Sequence, residues 1–293
     1  MNTQTLFKNQ FRNSLKTSIL MATVFAIVGV LGYLISIQMG NINYLYIFLF
    51  IGIIQNVIAY WFSGSLAIRY SGAKKVDIST PDGSRLQRIV DRLSQMANLP
   101  TPEVYIIPDE NMNAFATGRN KYHAKVAATS GLIHHLDDSE LEGVMAHELA
   151  HIGNKDILIS SVVAVMAGMI THLIYIFASK SGGESRVNPI VGIFIMLLAP
   201  FVGLMIQMAV SRSREYQADA GAAKITNNPQ GLILALEKIH QNNTSPMIKA
   251  DESMAHMYIA NPFSGIKKGG VSQYFMTHPP VEERVRRLKG LSV

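Results

Sequence analysis

The stretch Ser139-Glu-Leu-Glu-Gly-Val-Met-Ala-His-Glu-Leu-Ala-His151 decides how this chain is read. As a helix it places His147 and His151 one turn apart on one face, so both imidazoles can reach one tetrahedral metal ion with Glu148 beside them. Ser139 with Glu142 three residues on predicts a capping box, and Asp137 and Asp138 favour the positive end of the helix dipole. Two imidazoles do not complete a catalytic metal site, so the remaining sequence must supply a third donor.

Of the 293 residues, 48% are hydrophobic and only 16% charged, a balance that points to a membrane protein with a modest soluble part. The chain has no cysteine, so disulfides and thiolate metal ligands are excluded and a zinc ion must be held by His and carboxylate. A net charge of +6 would suit nucleic acid, but no basic run with interleaved aromatics is present. The basic residues lie beside apolar segments instead, as topogenic charge does.

Upstream of the helix, Lys8, Arg12 and Lys16 precede an uncharged apolar run from about Ser18 to Ile37, long enough to span about 30 Å of hydrocarbon. It is too long for a cleaved signal peptide, and no small-x-small site follows, so it reads as a retained anchor. A second run, Tyr44 to Phe62, carries Tyr44 and Tyr46 at one rim and Tyr60 and Trp61 at the other, like the aromatic belts of a spanning helix. Gln55 and Asn56 inside it read as interhelical hydrogen-bonding groups. Positive charge before and after the hairpin puts both of its flanks in the cytoplasm.

Ser71 to Asp156 reads as soluble. Leu86, Ile89, Val90, Leu93 and Met96 predict an amphipathic helix over 84–98, and Val104 to Ile107 and Lys125 to Thr129 predict short strands. Asn111 to Gly118 is extended, either a plain sheet strand or an edge strand whose backbone pairs with an extended peptide. His134 and His135 are adjacent and face different ways, which suits surface or packing roles.

A third apolar run, Ile157 to Ala178, follows His151 almost at once; its Ser160, Ser161, Thr171 and His172 also suit a partly sheltered helix. The polar link Lys180 to Arg186 leads to a fourth run, Pro189 to Val210, and then directly to Ser211-Arg-Ser-Arg-Glu-Tyr-Gln-Ala-Asp219. Glu215 and Asp219 share a helical face. Glu215 suits the carboxylate position of a His₂Glu site, and Asp219 can accept the free N–H of a ligand histidine and fix its tautomer. An isolated Glu-x-x-x-Asp would ordinarily be a solvated face. Here two apolar runs separate it from His147, and an even number of crossings returns the chain to the same compartment.

These residues together resemble the HtpX group of membrane zinc metallopeptidases, related to the prenyl-protein processing peptidases. The resemblance runs through the amino-terminal hairpin, Asn113-Ala-Phe-Ala116, His147-Glu-Leu-Ala-His151, the second hairpin, Ser211-Arg212 with Glu215-Tyr-Gln-Ala-Asp219, and Thr277-His-Pro-Pro280. It implies zinc ligands His147, His151 and Glu215, with one Zn²⁺ per chain, a catalytic base at Glu148 and an orienting role for Asp219. Asn113, Ala114, Phe115 and Ala116 would line the substrate cleft. It further implies a multi-pass protease of the cytoplasmic membrane, with site and termini facing the cytoplasm, that cuts damaged or misfolded membrane proteins and unfolded polypeptides.

The expected architecture is a mainly α membrane protein with about four transmembrane helices and a cytosolic α+β zincin-like domain of gluzincin type with a small sheet. Residues 1–70 form the first hairpin, 71–156 the first part of the protease domain, 157–210 the second hairpin and 211–293 the second part. In the tail, Ile233, Leu236 and Ile239 predict a helix that packs under the metal helices, 242–270 reads as a mobile surface flap, and Val281, Val285 and Leu288 form one face of a last helix. His278 is assigned as oxyanion donor by analogy with the donors such sites require. Two other readings stand: an adaptor with a structural zinc site, and a di-iron carboxylate protein suggested by the second Glu-x-x-His, Glu237 to His240.

Overall fold

The computed structural model describes residues 3–180, 205, 211–243, 245–249, 252–263 and 279–291. Two long helices lead the chain, α1 (Thr3–Met39) and α2 (Asn43–Ser71). Phe11–Met39 and Asn43–Ser71 are each long and apolar enough to cross a membrane. Ile19, Val30, Ile37, Ile47 and Phe50 are exposed on them, as side chains that face lipid would be.

Beyond α2 the chain forms a four-stranded sheet of order β1-β2-β4-β3. β1 (Lys74–Lys75) is antiparallel to β2 (Glu103–Ile107), and β2 runs parallel to β4 (Lys125–Thr129) with Glu103 opposite Lys125. β3 (Ala114–Thr117) is antiparallel to β4, with Ala114 opposite Ala128, which leaves β3 at the edge of the sheet. α3 (Pro81–Met96) starts three residues earlier than the apolar pattern suggests, because Thr80 caps it by accepting from the Gly83 N–H and Pro81 fits its first turn. Leu86, Ile89, Val90 and Leu93 are buried as expected, whereas Met96 is exposed at the fraying end.

After the short α4 (Ser130–His135) comes α5 (Asp138–Gly153), which carries the two histidines of the motif. Its capping box is formed by Asp137 and Glu140 rather than by Ser139 and Glu142. Asp137 accepts from the Glu140 N–H, and Glu140 reaches back to the Asp137 N–H, both at 2.9 Å. The earlier pair wins because the Glu140 side chain is also held by Lys238 Nζ at 2.7 Å, a tertiary contact that local spacing does not show. α5 ends at Gly153 with Asn154 as its C-cap, Lys155 takes φ +58°, and the chain bends by 90° into α6 (Ile157–Lys180).

α6 packs Val162, Val163, Met166 and Ile170 against Leu20 and Val24 of α1 and Ala59 of α2. Against the expected four spans, the described residues contain two helices long and apolar enough to cross a membrane, or three when α5 and α6 count as one bent span. The link after Lys180 and the fourth run, 189–210, lie outside the described residues except for Met205, which joins the same apolar cluster.

α7 (Arg212–Thr226) and α8 (Pro229–Asn242) then lie against α5, and α9 (Val281–Lys289) packs against both of them. Leu141, Val144, Leu149, Ala222, Leu232, Leu236, Val285 and Leu288 share one core with the α3 face and the sheet. The segment read as a surface flap is corrected where it is described. Glu252–Met257 forms a 3₁₀ turn, and Met254, Met257 and Tyr258 are buried against α2, β3 and α6, with the Tyr258 ring edge-on to Phe115 at 5.1 Å. Its five buried apolar side chains between 254 and 259 outweigh the polar composition around them.

α5 and α8 approach so closely at Gly143 that a Cβ there would lie 2.5 Å from the Leu232 nitrogen. Gly143→Ala should force the helices apart and cost about 1–3 kcal/mol, read as a lowered thermal midpoint of the detergent-solubilised protein. An unchanged midpoint would show that this contact does not hold α5 in place.

Candidate metal centre

The site is built where α5 and α7 face each other. Helical spacing on α5 brings His147 Nε2 to 3.2 Å from His151 Nε2, and Glu215 enters from the first turn of α7. Its Oε2 lies 3.8 Å from His147 Nε2 and its Oε1 3.6 Å from His151 Nε2. Two nitrogens bonded at about 2.0–2.1 Å to one tetrahedral ion would stand roughly 3.3 Å apart, so the imidazole separation fits a shared metal. One donor atom from each residue falls within 4.8 Å of the other two, and among the described residues this is the group suited to a metal ion.

The outward nitrogens of both rings are committed to buried carboxylates. His147 Nδ1 lies 3.0 Å from Asp219 Oδ1, the role assigned to Asp219 from its spacing. His151 Nδ1 lies 3.1 Å from Asp156 Oδ2, a partner that spacing alone did not suggest. Each contact engages Nδ1 and leaves Nε2 facing the other members of the cluster, the arrangement that a metal-binding imidazole requires. The carboxylates are anchored in turn. Arg284 of α9 clamps Asp219 through Nε at 2.9 Å and a second nitrogen at 2.6 Å, while Asn13 of α1 donates to Asp156 Oδ1 at 2.7 Å. Arg214 stands 3.8 Å from Asp156 Oδ1 and 3.4 Å from the Asn13 side-chain oxygen.

The electrostatics suit a cation. Burial lowers the pKa of His147 to about 4, with Asp219 opposing, so the ring is neutral and free to ligate. At His151 burial acts in the same sense, but Asp156, Glu215 and Glu148 overcome it and raise the pKa to about 9. The carboxylate field that holds a proton there also favours a metal cation in its place. Burial raises Asp219, yet the Arg284 charge and hydrogen bond and the His147 contact more than reverse this and bring it down to about 2, so it stays ionised. Burial pushes Glu148 up to about 7, opposed by the positive charge of His151 and by a hydrogen bond from the Ala116 backbone.

The other residues singled out in the sequence are placed as follows. Ala114, Phe115 and Ala116 form most of β3, and the Ala116 amide is turned toward Glu148. Asn113 is fully buried and ties down the neighbouring segment, donating to the Ala260 carbonyl at 2.9 Å and accepting from its N–H at 3.1 Å. His278 lies outside the described residues. His134 pairs with Asp82, and His135 contacts the Gly131 carbonyl, so both have the surface and packing roles expected of them. Glu237 and His240 do not join the metal cluster, which removes the geometric basis for a two-metal carboxylate site. Arg284 was legible in principle. It sits between Val281 and Val285 on the apolar face of α9, where a charge signals a buried partner.

Comparison with known proteins agrees with this geometry. The profile described as Peptidase family M48 matches residues 82–292. Proteins named Protease HtpX homolog from Burkholderia mallei (strain SAVP1) and Burkholderia pseudomallei (strain K96243) are each 45% identical over 287 residues, covering 96% of this chain and 97% of theirs. Among solved structures, S. mikatae Ste24p superposes with a TM-score of 0.51 at 19% identity, covering 96% of this chain and 67% of that one, a likeness of fold.

Asp156→Ala and Asp219→Ala should each weaken metal binding by about 10–100-fold, measured by competition with a chromophoric chelator. Glu283→Ala, which removes a half-buried partner of Arg286 and Arg287 outside the cluster, should leave affinity unchanged. Equal affinity in all three variants would refute the orienting role of both carboxylates.

Proposed function

The chain belongs to Peptidase family M48 and is a metalloprotease, and from that premise we propose that it is a membrane-integral zinc endopeptidase. Its substrates are damaged or misfolded membrane proteins, hydrolysed at the cytoplasmic face of the inner membrane. The observation that carries the reading is the convergence of His147 Nε2, His151 Nε2 and a Glu215 oxygen beside the buried Glu148 carboxylate. Three protein donors with no cysteine are the set of a catalytic zinc site, whereas structural sites close with four.

Zinc, when bound, lowers the pKa of water and polarises a carbonyl. His147, His151 and Glu215 hold it; Asp219 and Asp156 keep both rings in the ligating tautomer. Glu148 takes the proton from the attacking water and returns it to the leaving amine. A pKa raised to about 7 suits both halves of that transfer at neutral pH. The substrate backbone lies extended along the outer edge of β3, next to the amide of Ala116, and His278 supplies the oxyanion donor. The bend from α5 into α6 puts this chemistry beside apolar helices, within reach of a substrate emerging from the bilayer.

Glu148→Gln should retain the metal and lose cleavage by about 10²–10⁴-fold, assayed on an unfolded polypeptide with the detergent-solubilised, zinc-loaded protein. Cleavage at the wild-type rate by that variant would overturn the mechanism. In intact cells, a protease added from outside should cut within the Lys180 to Arg186 link. Protection of that link under conditions that cut a control periplasmic loop would contradict two crossings between the ligand segments.

A further inference from the structure

Away from the metal, the loop from Gly118 to Ala124 rests on the second long helix. The backbones meet at Gly64, where a Cβ would lie 3.0 Å from Gly118 Cα, and Gly118 takes φ +133° so that the loop can turn there. A cleft of about 180 Å³ opens between them, lined by Trp61, Ser65, Thr101, Arg119, Tyr122 and Lys125 among others.

Depth along α2 places this cleft at a bilayer surface. At 1.5 Å per residue, about 20 residues counted from Asn43 cross roughly 30 Å of hydrocarbon and end near Phe62, so Trp61 stands at the rim. Trp61 and Tyr122 are 53% and 72% exposed, unusual for large aromatics on a folded surface but ordinary at the headgroup level.

The charge around the cleft is unbalanced. Glu103 is its acidic lining residue, and it is already paired with Lys125 and hydrogen-bonded by Tyr105. The Arg119 guanidinium lies over the Trp61 ring at 4.6 Å and contacts His123 Nε2 at 2.5 Å, while Asn120 occupies His123 Nδ1 at 2.9 Å. Both ring nitrogens of His123 are thereby engaged, and Arg119 has no carboxylate partner among the described residues. Neither has Lys121, whose ammonium sits over the Tyr122 ring at 5.2 Å. Arg119 in the lining, Lys121 beside the cleft on the same loop, and two exposed aromatics at headgroup depth form a site for a phosphate ester that carries an apolar tail.

We propose that the cleft between α2 and the 118–124 loop binds the headgroup of an anionic phospholipid, with Arg119 as its principal cation, Lys121 as the second, and Trp61 and Tyr122 flanking the glycerol region. Such a lipid would fix the loop that leads from β3 to β4, and so couples membrane composition to the strand beside the metal centre.

Trp61 is the single tryptophan of the chain, so its fluorescence reports on this cleft alone. The full-length protein is reconstituted in phosphatidylcholine nanodiscs containing increasing fractions of acyl-brominated phosphatidylglycerol or acyl-brominated phosphatidylcholine. Quenching of Trp61 should reach its midpoint at a roughly fivefold lower fraction of the anionic lipid, the preference expected from one basic side chain at a membrane surface. Arg119→Gln with Lys121→Gln should abolish the preference, whereas Arg119→Lys should keep most of it, with metal content confirming that each variant is folded. Equal quenching by the two lipids in the wild type, or a preference undiminished in the double variant, would overturn the proposal. So would a Trp61 response to inorganic phosphate, at constant ionic strength, without any preference between the lipids, since that would mark a free-phosphate site.

Discussion

The structure depends on fixing two imidazole rings in direction inside a buried pocket, each through a carboxylate at its Nδ1. A histidine on a helix does this only if its other nitrogen has somewhere to donate, and a buried acceptor is stable only if it is itself paired. His147 meets this through Asp219 and Arg284, and His151 through Asp156 and Asn13. Breaking a buried pair of the Asp219–Arg284 kind ordinarily costs about 3–5 kcal/mol, because a charge is left uncompensated. The anchors come from opposite ends of the chain. α9 supplies one and α1 the other, so the candidate site is complete only when both of these helices are in place.

The bend after α5 follows from the same requirement. Asp156 must lie one turn beyond His151 yet point back to its Nδ1, and the left-handed Lys155 between the two helices makes that possible. The bend also sends α6 off at 90° to pack on α1 and α2. One turn thus orients a candidate ligand and sets the direction of the apolar helix, which brings the candidate metal centre close to the apolar helices. On the far side, Thr117 and the Gly118 amide both contact Ser161 Oγ, at 2.7 and 3.1 Å, so β3 is tied to that helix as well.

Much of this was legible in the sequence because helical spacing is local. His147, Glu148, His151, Glu215 and Asp219 were singled out as candidates from i, i+1 and i+4 relations and from the requirement that the candidate ligand segments share a compartment, and the structure brings them together. The apolar faces of α3, α8 and α9 followed from periodicity, as did strands β2 and β4. Asp156, Asn13 and Arg284 were missed because their meaning lies in contacts between elements far apart in sequence. The capping box was displaced by two residues for a similar reason: both acidic pairs satisfy the local rule, and Lys238 of α8 decides between them. The 253–259 segment was misread because a few methionines and one tyrosine, decisive for burial, are diluted in a polar stretch.

The central claim is that one zinc ion is held by two imidazoles and one carboxylate with a coordination position left open. X-ray absorption at the zinc edge of the metal-loaded, full-length protein tests it most directly. The spectrum should show two imidazole nitrogens at about 2.0–2.1 Å with oxygen donors completing the shell, one of them exchangeable. A shell of three or more imidazoles, a single imidazole, or scattering from a second metal would contradict the account.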